Sequence, residues 1–249
     1  MSVIHPIHPA KPETPECHSC PICRSNLLGQ IDQRHDGHMD AHCLQMEYAP
    51  GAQIYRQGQT GVNLYSVCRD LIKLDQRLPD GEPRTVRLLQ PGCVFGLELL
   101  SHHQYQHSAS SIGRSRICRI PAHLVNQLAQ ADPALHQSLM QQWQLALDEA
   151  DFVIAQLSTG PARQRVARLL LHLASPANGA DVCTAPPRDD MASLLGLTPE
   201  TVSRTTASFK REGWLREQGG IFTLDHERLL AISQGNEIDP PERTAPSSA

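Results

Sequence analysis

Aromatic side chains are scarce in this chain: Phe, Trp and Tyr together supply only 4% of its 249 residues. Packed cores must therefore be mainly aliphatic, and 40% hydrophobic residues are enough to build them in two modest domains. No stretch approaches the roughly 18 consecutive apolar residues of a membrane helix, so no membrane span is expected. The N-terminus, Met1 to Pro9, has no charged start followed by an apolar run. That pattern argues against a secretory signal and makes the cytoplasm the expected compartment. Positive charge is also lacking. The formal net charge is −4, which excludes nucleic-acid attraction by the whole surface and leaves only a local site. No Gly-rich phosphate loop, nucleophile elbow or metalloprotease helix is present, so an enzyme is not expected.

What is present falls into five segments. Residues 1–40 contain a tight cysteine cluster, after a Pro- and His-rich start expected to lack fixed structure. Residues 41–130 carry short apolar or alternating runs: Gln53–Tyr55, Asn63–Val67, Leu71–Asp75, Arg84–Leu89 and Ile117–Ile120. Turn signals such as Pro50-Gly51, Pro79-Asp80-Gly81 and Pro91-Gly92 separate them. That spacing predicts a jelly-roll sandwich or barrel, and the chain as a whole reads as α+β. Residues 131–159 then lose Pro and Gly beyond Pro133 and predict one long helix. Leu139, Trp143, Ala146, Ala150, Val153 and Leu157 recur at spacings of 4, 3, 4, 3 and 4, an a/d seam suited to a second copy of the chain. Leu135, Leu145, Leu147, Phe152 and Ile154 form a second apolar face, expected to pack on the β-domain. The seam itself can also serve that purpose. Thr159-Gly160-Pro161 is the expected hinge into a helix-rich domain at 160–235, and the Pro- and Ser-containing tail at 236–249 is expected to be disordered.

Within 160–235, Arg188 to Leu195 predicts a short helix, Gly196 a tight turn, and Leu197 a plug between two helices. Thr198-Pro199-Glu200 is a strong helix start: a Thr N-cap, Pro at the first position and an acid in the first turn. The second helix should run to about Gly213 with Val202, Phe209 and Ala207 inward. Glu200, Ser203 and Arg204 then share its exposed N-terminal face, the part that a recognition helix places in the major groove. Arg204 can donate twice to guanine, Glu200 can accept from cytosine N4, and Ser203 can reach a base or a phosphate. Thr198, Thr201, Lys210 and Arg211 are expected to meet phosphates, which position without specifying. Trp214–Arg216 and Ile221–Leu224 around Gly219-Gly220 predict a hairpin wing. Against this stands a plain αα-hairpin in which Glu200 and Arg204 are an i,i+4 ion pair. Residues 159–235 carry nine Lys/Arg against eight Asp/Glu, so one copy alone is expected to bind DNA weakly.

A β-domain, a long helix and a winged helix-turn-helix in that order resemble the Crp/Fnr family of bacterial regulators over roughly residues 40–232. The stretch Leu195-Gly-Leu-Thr-Pro-Glu-Thr-Val-Ser-Arg204 carries the likeness most specifically. Ile54 to Gly58, Leu64-Tyr65 and Leu71 to Lys73 look like the family's β-roll, and Asp70 departs from it where a Gly is usual. The resemblance implies a DNA-binding homodimer on an inverted repeat, TTGAT-like half-sites as in the Fnr branch, and RNA polymerase as a partner. The region Gly96-Leu-Glu98 to Ser110 matches the family's cyclic-phosphate cassette but contains no Arg before Arg114, so cyclic AMP is not expected.

Cysteine offers another sensing chemistry. Cys17, Cys20 and Cys23 form C-x2-C-x2-C, the run that supplies three ligands to one [4Fe-4S] cluster in bacterial ferredoxins. The likeness to the Fnr branch implies Cys118, in Arg116-Ile-Cys118-Arg, as the remote fourth ligand of an oxygen-labile cluster. Cys43 is its main rival, and Cys68, Cys93 and Cys183 are further thiols. Three or four thiolates, alone or with His18, His35 or His38, also suit tetrahedral zinc, and a thiol switch without metal is a further alternative. His102, His103 and His107 read either as metal or haem ligands or as a solvated loop.

Overall fold

The computed structural model describes residues 43–177 and 180–236, and the chain divides into two compact units, 1–151 and 152–249. The cysteine run at 17–23 and the tail from 237 lie outside the described residues. In the first unit eight strands build two four-stranded antiparallel sheets. The first sheet has the order β1 (Leu44–Tyr48), β8 (Ser115–Pro121), β3 (Asn63–Arg69), β6 (Val94–Phe95). The second has the order β2 (Gln53–Tyr55), β7 (Ser108–Ser111), β4 (Ile72–Arg77), β5 (Pro83–Leu89). This is the expected β-roll. Four of the chain's ten aromatic residues stack inside it: the rings of Tyr55 and Tyr105 lie 3.7 Å apart, with Tyr65 and Phe95 beside them. Tyr105 Oη donates to the Asn63 carbonyl at 2.8 Å, which fixes the stack at its rim.

At the β3–β4 turn Asp70 adopts a left-handed φ of 66°, so the turn keeps a glycine-like backbone without glycine. Its Oδ1 accepts the Leu71 amide at 2.8 Å, the local side-chain bond that lets Asp tolerate this region. The bare Gly113 lies against the same carboxylate; a Cβ there would come within 1.9 Å of Oδ2.

The β-strands of this unit end at Pro121, and Ala122–Ala131 forms helix α1 against β8, within the segment expected at 41–130. Helix α2 (Pro133–Phe152) follows and continues as a π-helical turn at Val153–Leu157. Only Leu135 and Leu139 of α2 are buried, both in the β-roll's own core. The predicted seam is therefore divided. Leu139 belongs to the first unit's core, and Leu157 is buried in the second unit, where its π-turn packs on helices α3 (Ala162–Leu173) and α4 (Arg188–Leu195). The division between units accordingly falls at 151/152 and not at the Thr159 hinge. Leu145, Leu147 and Ile154, expected to face inward, are instead exposed at 59%, 56% and 67%. The apolar residues left in solvent on α2 include Met140, Trp143 and Leu147, which with half-buried Ala150 keep spacings of three, four and three.

The second unit contains α3, α4, α5 (Pro199–Arg211), α6 (His226–Ser233) and a four-stranded antiparallel sheet. The strand order is β11 (Leu215–Gln218), β12 (Ile221–Leu224), β10 (Ala180–Thr184), β9 (Ser175–Ala177). Its core is aliphatic around Phe209, Trp214 and Phe222. No helix among the described residues is long and apolar enough to cross a membrane.

Candidate nucleic-acid interface

Helices α4 and α5 meet as the helix-turn-helix pattern predicts. Met191, Leu194 and Leu195 are buried, and Gly196 ends α4 with a left-handed φ of 61°. Thr198 caps α5: its side chain accepts the Thr201 amide at 3.2 Å, and Pro199 occupies the first turn. A Thr cap of this kind stabilises a helix by roughly 0.5–2 kcal/mol. The two hydroxyls of Thr198 and Thr201 also bond one another at 3.0 Å, so their first task is local.

The exposed side of α5 is wider than expected. Glu200, Ser203 and Arg204 are all exposed, and Ala207 and Arg211 continue the same stripe. Ala207 is therefore not a core residue. Its expected place inside is taken by Thr205 and Thr206, which are buried because their hydroxyls donate to the carbonyls of Thr201 and Val202, at 2.8 and 2.9 Å. Back-bonding of this kind hides a hydroxyl and turns Thr into a small apolar residue. No ion pair joins Glu200 to Arg204, so the plain i,i+4 reading does not describe this face among the described residues.

Lys210 is placed differently from the expectation of a free phosphate contact. Its Nζ pairs with the Glu217 carboxylate on β11 and lies 5.8 Å from the Phe222 ring centre. Arg188, at the start of α4, reaches the same carboxylate at 3.4 Å and stacks over the same ring at 5.1 Å. One carboxylate thus holds two cations where helix and wing meet. The wing is the predicted hairpin: Gln218 pairs with Ile221, and Gly219 and Gly220 supply the two positive φ values of a type I′ turn.

The far end of α5 is clamped by a residue that the sequence pattern does not single out. Arg163 of α3 donates to both Glu212 carboxylate oxygens, at 3.1 and 2.7 Å, and to Ser208 Oγ at 2.8 Å. Its guanidinium also lies over Phe209 and Trp214, 5.0 and 5.3 Å from their ring centres. The Arg163 bonds, and then the Ser208 hydroxyl, hold the Glu212 carboxyl below the usual carboxylate range. Arg165 donates to the Leu195 carbonyl at 2.7 Å and closes the end of α4. These links cross from α3 to the helix pair, so only three-dimensional contact reveals them.

Four of the five described thiols, Cys43, Cys68, Cys93 and Cys118, belong to the first unit, and Cys183 belongs to the second. Cys118 is fully buried on β8, directly opposite Ser66 of β3. Its Sγ lies 3.3 Å from Sγ of Cys68, itself 7% exposed. Cys43 enters the same core. Burial raises the Cys93 thiol and pushes Cys183 up to about 12; half-buried Cys93 and buried Cys183 both behave as small hydrophobes. His102 and His103 are exposed, as in the solvated-loop reading, while His107 is half-buried and burial lowers its pKa. Among the described residues no three His, Cys, Asp or Glu side chains converge on a metal-sized site; Cys17, Cys20 and Cys23 lie outside them.

Comparison with known proteins agrees with both units. A Crp-like helix-turn-helix domain model matches residues 164–232, and a cyclic nucleotide-binding domain model matches 45–132. The chain is 30% identical over 192 residues to the nitrogen fixation regulation protein FixK of Azorhizobium caulinodans, covering 74% of this chain and 73% of that protein. It is 25% identical over 194 residues to the fumarate and nitrate reduction regulatory protein of Yersinia pestis, covering 75% and 76%. A solved Crp/Fnr-family transcriptional regulator from Thermus thermophilus aligns at a TM-score of 0.60 and 27% identity, over 78% of this chain and all of that one. FixK2 from Bradyrhizobium japonicum shares the fold at a TM-score of 0.68 and 24% identity, over 79% and 98%. With a β-roll, a capped and exposed recognition helix and a glycine-turned wing in the family's order, the chain belongs to the Crp/Fnr family of DNA-binding transcription regulators, which are not enzymes.

Proposed function

We propose that this regulator binds an inverted DNA repeat as a homodimer and that its binding responds to redox state. The observation that carries the DNA half is the α5 face, where Glu200, Ser203 and Arg204 stand exposed on a helix held from behind by Arg163. Arg204 reads guanine O6 and N7, Glu200 accepts from the neighbouring cytosine, and Ser203 takes a base or phosphate, within TTGAT-like half-sites. Ala207 adds a methyl group that can meet a thymine methyl. Arg211 continues the stripe toward phosphate. RNA polymerase is the partner that such a regulator addresses on bound DNA.

Dimerisation is supported by exposed Met140, Trp143 and Leu147 with half-buried Ala150 on α2, a stripe that keeps Trp143 and Ala150 of the predicted seam and replaces Leu139 and Ala146 with Met140 and Leu147. Contiguous exposed apolar residues of this kind mark association surfaces. Asp148 and Asp151 are exposed beside the stripe, so two copies repel across a twofold axis and the interface is kept weak. A weak interface is responsive, since coupling of about 1–3 kcal/mol shifts it several-fold or more.

For the signal, the reading is a [4Fe-4S] cluster held by Cys17, Cys20, Cys23 and Cys118. The donor chemistry fits. Cys118 is a soft sulfur buried in the β-roll core, close to a second thiol and with Cys43 in the same cluster of side chains. When bound, such a cluster supplies an oxygen-labile redox centre. On this reading Cys118 would tie the cluster to β8, the strand that leads into α1 and α2. The test is anaerobic purification with iron and sulfide quantitation, paired with DNA-binding titrations before and after air exposure. Iron and sulfide in the wild type, with DNA affinity that falls in air, is the expected result. Colourless protein with stoichiometric zinc and unchanged DNA binding removes the cluster and leaves the DNA reading standing.

A further inference from the structure

An irregularity in the β3–β8 ladder brings Cys68 and Cys118 together. Ser66 stands directly opposite Cys118, and Cys68 is the diagonal neighbour two residues further along β3. Diagonal positions on an antiparallel pair are ordinarily about 7–8 Å apart. Two cysteines whose Cα atoms are more than about 7 Å apart cannot be bridged without moving backbone, so a regular ladder would hold this pair at the limit. The register instead shifts between Val67 and Arg69, with Cys68 at the extra position, and a bulge of this kind re-aims a side chain. The two Sγ atoms end 3.3 Å apart. Cys68 is the more accessible of the two, 7% exposed against 0%. It lies one residue from the end of β3, beside exposed Arg69 and the left-handed turn at Asp70. The pair therefore comes nearest to solvent through Cys68, at a strand end, with Cys118 behind it.

We propose that Cys68 and Cys118 form a reversible intramolecular disulfide, made when the chain meets hydrogen peroxide and undone by a small dithiol. A disulfide needs an S–S bond of about 2.05 Å, so the two sulfurs have about 1.25 Å left to close. Cys68 Sγ attacks one peroxide oxygen. The O–O bond breaks, the thiol proton leaves with the departing hydroxide as water, and Cys68 becomes a sulfenic acid. Cys118 Sγ then attacks Cys68 Sγ. The S–S bond forms, the S–O bond breaks, and the Cys118 proton leaves with that hydroxide as a second water. Two thiols thus lose two electrons and two protons, and one peroxide becomes two waters. Peroxide is small and uncharged, which suits a pair whose outer sulfur is only slightly exposed. The bond fixes β3 to β8 close to where β8 passes into α1. A disulfide sulfur is not a thiolate, so this bond and metal ligation by Cys118 exclude one another. The disulfide therefore belongs to the metal-free chain and does not depend on the cluster reading.

The test uses the full, metal-free chain, reduced and then treated with hydrogen peroxide under native conditions, as wild type, Cys68→Ala and Cys118→Ala. Remaining thiols are alkylated in denaturant, and peptide mass mapping without reductant reads which sulfurs are joined. Thermal melting checks that each protein is folded before and after oxidation, and Cys118→Val replaces Cys118→Ala if the smaller residue costs the fold. The expected result is a linked Cys68–Cys118 peptide, two hydrogens lighter than its reduced parts, in most wild-type chains. Dithiothreitol should remove the link, and both variants should lack it. Wild type in which both sulfurs are recovered as alkylated thiols overturns the proposal. A link from either sulfur to a different cysteine, or over-oxidation of Cys68 with Cys118 unlinked, overturns it as well. So does a link that appears only with loss of the cooperative melting transition, since the pair is then joined in the unfolded chain. None of these outcomes bears on the cluster reading, which is decided by iron and sulfide in anaerobic protein.

Discussion

The two units keep their distinctive chemistry in opposite places. In the C-terminal unit, Glu200, Ser203, Arg204 and Arg211 stand in solvent, and the groups that hold them in position lie behind the helix. In the N-terminal unit the distinctive groups are thiols, and Cys43, Cys68 and Cys118 are all inside the core. The difference separates two kinds of residue. A reading face on the surface can be altered without disturbing the fold, because an exposed side chain contributes little to stability. A buried thiol cannot be changed without touching the core, so a signal that arrives there acts on packing directly.

The widest test of this contrast lies on α2. Leu147→Asp removes an exposed apolar residue, so the melting temperature should hold while sedimentation shifts from dimer to monomer. Losing the second half-site should then lower DNA affinity by roughly 10²–10⁴-fold, the usual gain from linked sites. A variant that stays dimeric breaks the assignment of the stripe. In the β-roll interior, Ile117→Ala should cost about 2–5 kcal/mol of stability, read by denaturant unfolding, with no base contact altered.

Arg163 probes the boundary between the two kinds of residue, since it is partly exposed yet structural. Arg163→Ala should destabilise the C-terminal unit by about 1.5–3 kcal/mol, the range for hydrogen bonds to charged groups. The same contact sets a pH dependence. Glu212 has a folded pKa below its ordinary value, so its contribution is fully present above the ordinary glutamate range and is lost as pH falls through the folded value. Acid unfolding of Arg163→Ala should lack that component. The smallest effect is expected at the wing. Glu217→Gln releases Lys210 and Arg188 for phosphate, so the slope of log affinity against log salt should steepen by about 0.9 per cation newly engaged. An unchanged slope means that these cations never meet DNA.

Much of the reading head is legible in the sequence because its signals are local. Thr198-Pro199 starts a helix and Gly196 turns left-handed through the chemistry of one or two residues. Ala207 is misplaced by pattern alone because Thr205 and Thr206 read as polar until their hydroxyls are seen bonded to their own helix. The α2 seam is displaced for a different reason: Leu139 and Leu157 satisfy the heptad spacing but are consumed by two separate cores. Strand β7 is hidden in the sequence because Ser-Ala-Ser-Ser has no apolar alternation. Ser111 is buried there with its hydroxyl donating to the Ala49 carbonyl at 2.5 Å. The Cys68–Cys118 contact depends on the register of strands 50 residues apart and on a bulge, neither of which any local pattern encodes.

Whether Arg204 on the α5 face reads a G·C pair is decided by a cycle that combines Arg204→Ala with replacement of that G·C by A·T in both half-sites, scored by fluorescence anisotropy at fixed salt. The wild type should lose about 1–3 kcal/mol per half-site on the base change, and Arg204→Ala should lose nothing further, because the partner of that base is already gone. Equal discrimination by both proteins, with the two changes simply adding, would contradict the account.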